Sequence, residues 1–330
     1  MKRTILVTGG AGYVGSHLVP LLLQRGHVVR VIDSDLYASP TVAHLRSQEN
    51  CTFIKGDIRH IEDLAPAIRG VDAVVDLAAI VGDEACEKDR DAAETINMNA
   101  TELLLGLCQR YDVQNLVFAS TCSVYGAKPK DWLEEHSATA PLSLYAETKL
   151  ESERILLGAR GETSPQVTVL RLATVFGLSR RMRFDLVLNF FAARAATGEP
   201  LIVYGGDQVR PLVHAHDVAR AFLMVLDAPG ERIEGQVLNV GSNEQNLTIA
   251  DLAEQVAKTS PTARVERRSS ETDPRNYRVR FDKIREFLGF ETEIDIQEGA
   301  REIIQAIQSK RIQDYLDDRY YNVRYAYKNS

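Results

Sequence analysis

Tyr145 and Lys149 are two side chains whose types and spacing could carry out chemistry. They stand four residues apart in a stretch with a helical pattern, so we expect both on one face of a helix. A phenol has a pKa of about 10 and is a poor base at neutral pH, but a neighbouring ammonium favours its charged form. The pair therefore predicts proton transfer with a hydroxyl group, with Tyr145 as the base.

Small hydroxyl side chains precede this pair at the end of an apolar run. The strand-like residues 116–120 end in Ser120, and Thr121, Cys122 and Ser123 follow them. Ligands of an open parallel sheet bind beyond the carboxyl ends of its strands, so Thr121 is expected to face the reacting group. Thr121 would then donate a hydrogen bond to the oxygen that Tyr145 deprotonates.

A glycine-rich turn follows the first predicted strand and opens the first predicted helix. Gly9, Gly12 and Gly15 give the spacing G-x-x-G-x-x-G, with Tyr13 and Val14 between the last two. Gly9 permits a tight turn, Gly12 lets the backbone approach a pyrophosphate, and Gly15 lets the helix pack close to the strand. This context predicts a dinucleotide site.

Asp33 ends the second predicted strand, where a carboxylate can accept hydrogen bonds from ribose hydroxyls and would repel a 2′-phosphate. The sequence therefore favours NAD over NADP. Two later strand ends supply further predicted cofactor contacts, at the adenine and along the backbone: Asp57, Ile58, Leu77, Ala78 and Ala79.

The elements that must position these residues alternate between strands and helices. Nearly continuous apolar runs predict strands at 4–8, 28–32, 52–54, 73–77, 116–120 and 167–170. Helical patterns lie between them at 13–25, 61–68, 92–111 and 144–157. This alternation predicts an α/β fold with a Rossmann-type, doubly wound parallel sheet.

The regular alternation weakens after about residue 175. Helical patterns at 184–196, 215–226, 249–258 and 296–307 are separated by short strands and loops. We therefore predict a nucleotide-binding domain at 1–175 and a smaller α+β, mainly substrate-binding domain at 176–330. Residues 314–330 contain five tyrosines and form either a docking arm or a tethered end.

Composition narrows the class of protein. The chain has 330 residues, 45% hydrophobic and 26% charged, with a net charge of −7, which argues against a general binder of nucleic acids or anionic membranes. Its four cysteines form no C-x-x-C pair, so free thiols in a reducing compartment are expected. We find no signal peptide or membrane-length apolar run and expect a soluble cytoplasmic protein.

Several motifs together resemble the extended short-chain dehydrogenase/reductases, in particular the NAD-dependent nucleotide-sugar epimerase/dehydratase family. These motifs are T-G-G-A-G-Y-V-G-S-H, S-T-C-S-V-Y-G, Y-A-E-T-K, Y-G-G-D-Q-V-R-P-L-V-H-A-H-D-V-A-R-A and N-V-G-S. The resemblance implies an NAD(P)-binding fold, a C-terminal substrate domain and a nucleotide-diphosphate sugar as substrate. It also implies a homodimer joined by a four-helix bundle, built from the helices at 92–111 and 145–157.

The resemblance also implies substrate contacts. Arg210 and Arg275 match arginines that grip the nucleotide diphosphate, a contact suited to the planar guanidinium. Asn189 is a further predicted contact, and the predicted substrate site also contains Thr121, Cys122 and Ser123. Thr174 stands where many relatives carry a substrate-binding asparagine, so the sugar or the phosphate must be held differently here.

The strand-end residues distinguish between reactions of this family. Its 4,6-dehydratases carry Asp-Glu after the catalytic threonine, where this chain has Cys122 and Ser123, so dehydration is disfavoured. A 3,5-epimerase-like role for Cys122 is also disfavoured, because that branch places its cysteine one residue later. Oxidation at C4 needs only NAD, Thr121, Tyr145 and Lys149, and we predict a UDP-glucose 4-epimerase-like activity.

Alternatives to this reading stay open. A nucleotide 4-ketosugar reductase is the second enzyme hypothesis, and an NAD-sensing regulatory protein is the non-enzyme hypothesis.

His214 and His216 form an H-x-H pair without a third ligand nearby in sequence, so no metal is expected. Arg180, Arg181 and Arg183 either meet a phosphate or form a solvated loop, and we favour the loop.

Overall fold

The protein is described by a computed structural model over residues 2–159, 165–269 and 275–326. Its strands are β1 Thr4–Thr8, β2 Val28–Asp33, β3 Cys51–Lys55, β4 Ala73–Asp76, β5 Asn115–Thr121, β6 Lys128–Leu133, β7 Gln166–Leu172, β8 Thr174–Phe176, β9 Leu201–Tyr204, β10 Val209–His214, β11 Gln236–Val240, β12 Asn246–Thr248, β13 Val265–Arg268 and β14 Tyr277–Val279.

The helices are α1 Gly15–Gln24, α2 Thr41–Arg46, α3 Ile61–Ile68, α4 Asp83–Lys88, α5 Arg90–Glu94, α6 Ala100–Arg110, α7 Leu144–Gly158, α8 Val187–Thr197, α9 Ala215–Asp227, α10 Gly230–Ile233, α11 Ile249–Ala257, α12 Asp282–Leu288, α13 Ile296–Gln308 and α14 Asn322–Ala326. A π-helical turn spans Thr95–Asn99, and short 3₁₀ turns span Cys122–Tyr125, Asn243–Gln245 and Asp318–Tyr320. Within the described ranges, no helix combines the length and apolar composition needed to cross a bilayer.

Seven parallel strands form the central sheet in the order β11-β7-β5-β4-β1-β2-β3. Successive residues of one strand enter different cores: Val7 packs with α1 and α9 on one face, and Leu6 packs with α3, α6 and α7 on the other. Every residue of β4 and β5 is buried, as in a sheet covered on both faces. The predicted doubly wound sheet is confirmed, and its six predicted strands lie within two residues of their observed bounds.

The strand order reverses between β1 and β4, which creates a crevice at their carboxyl ends. A smaller α+β region covers this crevice. Its core is formed by α8, α11 and α13, with a three-stranded sheet of β12, β10 and β8 and a pair of β13 and β9.

The chain passes between these two regions more than once. After β10, helix α9 packs on α1, and β11 then joins β7 as the seventh strand of the central sheet. In the other direction, β6 pairs with β14. Hydrogen bonding to the sheet edge therefore brings residues 236–240 back to the first region, and the domain boundary at 175 stays a prediction.

The helix predicted at 92–111 is interrupted, which corrects that prediction. A π-helical turn at Thr95–Asn99 separates α5 from α6. The turn directs the buried Asn97 toward Ile80, whose backbone N–H donates to Asn97 Oδ1 at 2.8 Å and whose carbonyl accepts from Nδ2 at 2.9 Å. A polar contact with the loop after β4 thus explains why the regular helix stops here.

The C-terminal segment from residue 312 to residue 326, which we call the C-terminal arm, is attached to the fold. Ile312, Tyr315 and Tyr321 are buried in the core of the smaller region. Asn322 reaches the nucleotide-binding region, where its Nδ2 donates to the carbonyl of Val81 at 3.2 Å. Tyr327, the last of the five tyrosines, lies outside the described residues.

Candidate active site

Helix α7 carries the Tyr145–Lys149 pair to the crevice between the two regions. Ser143 caps its N-terminus, with Oγ accepting from the N–H of Ala146 and donating to Asp83 Oδ1 at 2.6 Å. Both members of the pair line a cleft of about 350 Å³ that runs along the strand ends. The N-terminal cap and its link to Asp83 therefore fix the start of the helix beside this cleft.

Lys149 is 3% exposed, and its Nζ lies 4.4 Å from the centroid of the Phe118 ring. Burial lowers the pKa of Lys149 to about 8, while the buried Asp76 carboxylate opposes this change. Thr8 Oγ1 in turn donates to Asp76 Oδ1 at 2.5 Å. At neutral pH this environment keeps Lys149 mainly charged, although it could release a proton more readily than an exposed lysine.

Burial raises the pKa of Tyr145 above its ordinary value, and the neighbouring Cys86 and Asp83 raise it further. The cation that lowers the Tyr145 pKa is Arg183, which the sequence analysis had assigned to a solvated loop. Tyr145 is therefore a proton donor in its resting form. Positive charge near its hydroxyl is what would allow it to act as a base.

At the end of β5 and in the 3₁₀ turn that follows it, some side chains face the cleft and others face the core. Thr121 and Ser123 line the cleft, and Thr121 Oγ1 accepts from the N–H of Ser123 at 3.1 Å. Cys122 is fully buried outside the cleft lining, where its thiol donates to the carbonyl of Arg171 at 3.3 Å and burial raises its pKa. The side chain of Cys122 therefore belongs to the core, and the substrate contact expected there stays a prediction.

The glycine loop has the close approaches that its sequence predicts. Gly9 has φ of +64°, and a Cβ there would lie 2.8 Å from the backbone of Ala78. A Cβ at Gly15 would lie 2.5 Å from the carbonyl oxygen of Gly10. Both positions require glycine, so the loop after β1 lies directly against the loop after β4.

The remaining predicted cofactor residues also line the cleft: Gly12, Tyr13, Val14, Asp33, Asp57, Ile58, Leu77, Ala78 and Ala79. Asp33 accepts from the N–H groups of Ala11 at 3.0 Å and Asp35 at 2.8 Å, and burial raises its pKa. A carboxylate has about four acceptor sites, so Asp33 retains acceptors for ribose hydroxyls.

Asp57 differs from Asp33 because a side chain already pairs with its carboxylate. Arg59 Nη2 lies 2.6 Å from Asp57 Oδ2, and this hydrogen-bonded guanidinium lowers the pKa of Asp57. Its predicted contact with adenine stays a prediction.

The predicted substrate residues divide into two groups. Thr174 and Arg275 line the cleft, whereas Arg210 and Asn189 are buried outside its lining. Arg210 donates to the carbonyl of Arg275. The structure therefore gives Arg210 a supporting contact beneath Arg275 and does not place it in the cleft wall.

Asn189 connects the glycine loop to the smaller region. Its Oδ1 accepts from the N–H of Gly177 at 2.9 Å, and its Nδ2 donates to the Tyr13 hydroxyl at 2.9 Å. Tyr13 in turn donates to the carbonyl of Gly177 at 2.5 Å. Asn189 therefore joins the two regions, and its contact with the substrate stays a prediction.

Asp83 is a site residue that the sequence analysis missed. Its Oδ1 accepts from Ser143 and its Oδ2 pairs with Arg275 Nη1 at 2.7 Å. It therefore links the cap of the catalytic helix to a predicted substrate arginine. The sequence around Asp83, an acidic residue at the start of a short helix, does not predict this role, because Asp83 and Arg275 are 192 residues apart.

The arginine segment 180–183 corrects the prediction of a solvated loop. Arg180 is exposed, but Arg181 and Met182 are buried, and Arg181 and Arg183 line the cleft. Arg183 pairs with Asp185 at 2.7 Å. Packing of the segment against the arm explains the difference, because Phe184 donates its N–H to the Tyr320 carbonyl and its ring contacts the rings of Tyr315 and Tyr320.

The histidines form a buried contact at the junction of the two regions. His214 Nε2 lies 2.7 Å from Glu302 Oε1, and the His17 ring stands 6.0 Å from that of His214. Burial lowers the pKa of His17 to about 4. Within the described ranges, no three His, Cys, Asp or Glu side chains are grouped as metal ligands.

The residues present fit a bound dinucleotide. The glycine positions leave no room for a Cβ, the buried Asp33 offers acceptors, and the strand-end residues of β1, β2, β3, β4 and β5 line one continuous cleft. At its other end stand Thr121, Tyr145 and Lys149, which carry an aliphatic hydroxyl, a phenol and an ammonium group. This arrangement suits oxidation and reduction at a carbinol carbon.

Comparisons with known proteins agree with this site. Residues 5–241 match the model of the NAD dependent epimerase/dehydratase family. The chain is 29% identical over 316 residues to an uncharacterized UDP-glucose epimerase, YtcB, of Bacillus subtilis (strain 168), covering 92% of this chain and 98% of the relative. It is 28% identical over 322 residues to a UDP-N-acetyl-alpha-D-glucosaminuronate decarboxylase of Bacillus cytotoxicus, covering 92% and 98%.

A solved structure extends the comparison to three dimensions. The UDP-glucuronic acid 4-epimerase of Bacillus cereus, solved with UDP-glucuronic acid and NAD, superposes with a TM-score of 0.80 at 26% identity, covering 93% of this chain and 99% of that one. The predicted NAD cofactor and Rossmann-type fold are confirmed. The chain belongs to the NAD-dependent epimerase/dehydratase family, whose members act on nucleotide sugars.

Proposed function

We propose that this protein is a nucleotide-sugar epimerase that inverts the configuration at C4 of the sugar. The observation that carries this proposal is the end of β5, where the cleft receives Thr121 and Ser123 while Cys122 turns into the core. These two hydroxyl groups can hold an alcohol oxygen, but neither is a carboxylic acid. Dehydration requires an acid and a base at these positions, whereas C4 oxidation does not.

Bound NAD would supply the chemistry of hydride transfer, accepting hydride from C4 and returning it. Tyr145 removes the proton of the C4 hydroxyl as the C–H bond breaks, so that the sugar becomes a 4-ketosugar. Thr121 and Ser123 orient that oxygen. Tyr145 later returns the proton to the oxygen when hydride adds to the opposite face of C4, which restores the protonation state of the phenol.

Two cations would favour the basic form of Tyr145 during the first step. Lys149 stands one helical turn away, and Arg183 already lowers the Tyr145 pKa. Burial of the site strengthens both effects, because charges interact more strongly at low dielectric. In the ketosugar state the protonated Tyr145 then donates to the ketone oxygen.

The ketosugar must turn over within the cleft before hydride returns. Small side chains at Thr121, Ser123 and Thr174 surround that part of the cleft. Arg275 would hold the diphosphate while the sugar rotates. Thr174 makes a shorter anchor than an asparagine would, which agrees with a sugar that is held loosely.

Proton NMR of the purified protein with a panel of nucleotide sugars and no added cofactor tests this proposal. The panel contains UDP-glucose, UDP-galactose, UDP-glucuronic acid and dTDP-glucose. We expect the anomeric signal of a C4 isomer, without net formation of NADH. A pentose product or a 4-keto-6-deoxy sugar would show decarboxylation or dehydration instead and contradict the proposal.

The same experiment distinguishes the other hypotheses. A 4-ketosugar reductase would leave the panel unchanged and would oxidise added NADH only when a 4-ketosugar is supplied. An NAD-sensing protein would bind NAD and show turnover under neither condition. The Tyr145→Phe variant serves as the control for turnover by a contaminating enzyme.

We also propose that the protein is a cytoplasmic homodimer formed through α6 and α7. These helices pack against each other, and Leu103, Ile155 and Leu157 are only partly buried. Burying them against a second copy would complete a four-helix bundle. Light scattering on the purified protein should give twice the chain mass, and a monomer at micromolar concentration would contradict this proposal.

A further inference from the structure

Arg181 is a buried cation in the cleft wall, and no carboxylate of the described residues forms an ion pair with it. It is 4% exposed, and among the described residues it forms hydrogen bonds with Met182 and Asn322 but no ion pair. Burial and, to a smaller extent, the neighbouring Arg183 lower the pKa of Arg181 to about 10. Because a buried charge without a counter-ion is destabilising, an anion bound in the cleft would stabilise this position.

The guanidinium of Arg181 is held in one orientation. It lies 4.1 Å from the centroid of the Tyr37 ring, its Nη2 donates to Asn322 Oδ1 at 2.6 Å, and its Nη1 approaches the carbonyl of Met182 at 3.4 Å. A guanidinium has five N–H donors, and these contacts within the described chain use two of them. Donors therefore remain for a ligand in the cleft.

Asn322 belongs to the C-terminal arm and connects Arg181 to the nucleotide-binding region. Its Nδ2 donates to the Val81 carbonyl at 3.2 Å, and the next residue, Val323, packs against the cluster that contains Ile80 and Tyr145. The arm thus extends from the smaller region to the loop after β4. Asn322 itself forms part of the cleft wall.

The surroundings of Arg181 place it in the cofactor half of the cleft. Tyr37 follows β2, and Val81 follows β4, so the two loops lie on either side of the strand end of β1. Asp33, the predicted ribose ligand, attracts Arg181 without forming a direct ion pair. In this fold the diphosphate of a dinucleotide lies between these loops, at the N-terminus of the first helix.

Two other arginines of the cleft already have carboxylate partners. Arg183 pairs with Asp185, and Arg275 pairs with Asp83, each at 2.7 Å. Arg181 differs from both because its bonded partners are neutral amide and carbonyl groups. It is therefore the arginine whose charge is best available to a bound anion in this part of the cleft.

We propose that Arg181 binds the diphosphate of NAD and that Asn322 is the positioning residue that orients its guanidinium. The C-terminal arm thereby completes the cofactor site from the far end of the sequence. This role concerns cofactor binding and does not depend on which sugar reaction follows.

Titration calorimetry with NAD tests the proposal on Arg181→Gln, with Arg180→Gln as the matched control. Both variants remove one positive charge from the same segment, but Arg180 is exposed. A lost charge-assisted hydrogen bond corresponds to a dissociation constant about 10- to 100-fold higher for Arg181→Gln. We expect Arg180→Gln to change it less than about twofold. Equal effects of the two variants would contradict the proposal, because they would show only a general charge effect.

Three smaller ligands, ADP-ribose, AMP and UDP, show which anionic group Arg181 contacts. If Arg181 contacts the cofactor diphosphate, Arg181→Gln weakens ADP-ribose more than AMP and leaves UDP binding unchanged. Equal weakening of AMP and ADP-ribose would place Arg181 at the adenosine monophosphate instead. Weakened UDP binding with unchanged NAD binding would assign it to the substrate. Either of these two results overturns the proposal.

The Asn322→Ala variant tests whether Asn322 acts by orienting Arg181 or by binding NAD directly. We expect NAD to bind about 3- to 10-fold more weakly, and the double variant Arg181→Gln/Asn322→Ala to bind it no more weakly than Arg181→Gln alone. Additive losses would show that Asn322 acts independently of Arg181. If Arg181→Gln fails to fold, Arg181→Lys keeps the charge but loses the planar guanidinium that Asn322 orients, and unchanged NAD affinity in that variant would contradict the proposal.

Discussion

The two walls of the cleft are built in different ways. One wall consists of strand ends and the turns that follow them, from Gly9 to Tyr145, and each of its residues is placed by the nearest strand or helix. The other wall brings together Thr174, Arg181, Arg275 and Asn322, which come from four separated segments of the chain. The first wall is therefore fixed by local structure, whereas the second depends on how distant segments pack.

The first wall carries the residues predicted for the chemical step, and the second wall carries residues predicted to bind ligands. The strand-end wall contains the residues that any C4 oxidation requires, and a parallel sheet positions them with little help from the rest of the chain. We propose that the second wall acts on ligand affinity, as Asp33 of the first wall does. Changes in the strand-end wall should affect turnover at Tyr145 and Ser123 and cofactor affinity at Asp33, whereas the Arg181 and Asn322 variants of the second wall should affect cofactor affinity alone.

The largest effect is expected for Tyr145→Phe. Removing the hydroxyl takes away the base, so turnover should fall at least about 10²-fold while the NAD dissociation constant changes little. Tyr125→Phe is the matched control, because its buried hydroxyl bonds Asn239 and Arg171 outside the cleft. That control should lower the free energy of unfolding but keep turnover. A Tyr145→Phe enzyme with near-normal turnover would exclude Tyr145 as the base.

Asp33→Asn should have the next largest effect, this time on cofactor binding. We expect NAD to bind about 10-fold more weakly and the preference over NADP to decrease, because the charge that repels the 2′-phosphate is lost. Asp57→Asn lies in the same cleft but pairs with Arg59, so its effect should be smaller. Tighter binding of NADP than NAD by the unmodified protein would contradict the role of Asp33.

The buried Lys149 should make stability depend on pH. Burial lowers its pKa from 10.5 to about 8 in the folded protein. Between these values the unfolded chain binds a proton that the folded chain has released, so this group makes the free energy of unfolding rise with pH, by at most about 1.4 kcal/mol per pH unit. Denaturation of the cofactor-free protein at several pH values in this range measures the slope.

Lys149→Met removes that contribution, so wild-type stability should increase relative to this variant as the pH rises from about 8 to about 10. Lys55→Met, which replaces an exposed lysine, is the control. A constant difference between wild type and Lys149→Met would show that the lysine is not perturbed by burial.

The smallest effects on turnover are expected for Cys122 and Ser123, which are neighbours in the chain directly after β5. Cys122→Ala should leave turnover within about twofold, since its thiol faces the core, and should lower stability by about 1 kcal/mol. Ser123→Ala should reduce turnover by about 10-fold, because a hydrogen bond to the reacting oxygen is lost. A larger loss of turnover for Cys122→Ala than for Ser123→Ala would reverse this assignment of the two faces.

The sequence predictions were more accurate for the first wall of the cleft than for the second. Strands such as β1 and β5 are predictable because burial on both faces requires unbroken apolar runs, and the glycine loop is predictable because its backbone excludes a Cβ. Predictions for Arg210 and Asn189 came from resemblance, and their buried positions outside the cleft lining depend on contacts with Arg275 and Tyr13. Neither contact has a local signal in the sequence.

Hydrogen bonding between distant segments also explains what was missed. The π-helical turn at Asn97 reflects a partner in the loop after β4, and the cleft position of Asp83 reflects Arg275, far along the chain. The pairing of β11 with β7, beyond residue 175, had no signal for a similar reason, because β11 has the composition of a short strand wherever it pairs.

The sequence by itself determined the sheet, the cofactor loop, the carboxylate Asp33 and the pair Tyr145 and Lys149. Each of these depends on periodicity or spacing within one or two neighbouring elements, and such patterns are readable along the chain. Only the tertiary structure decided that Cys122 faces the core, that Arg181 is buried in the cofactor cleft and that Asn322 reaches it. The physical reason is that burial and ion pairing depend on neighbours in space, and these neighbours are far apart in the sequence.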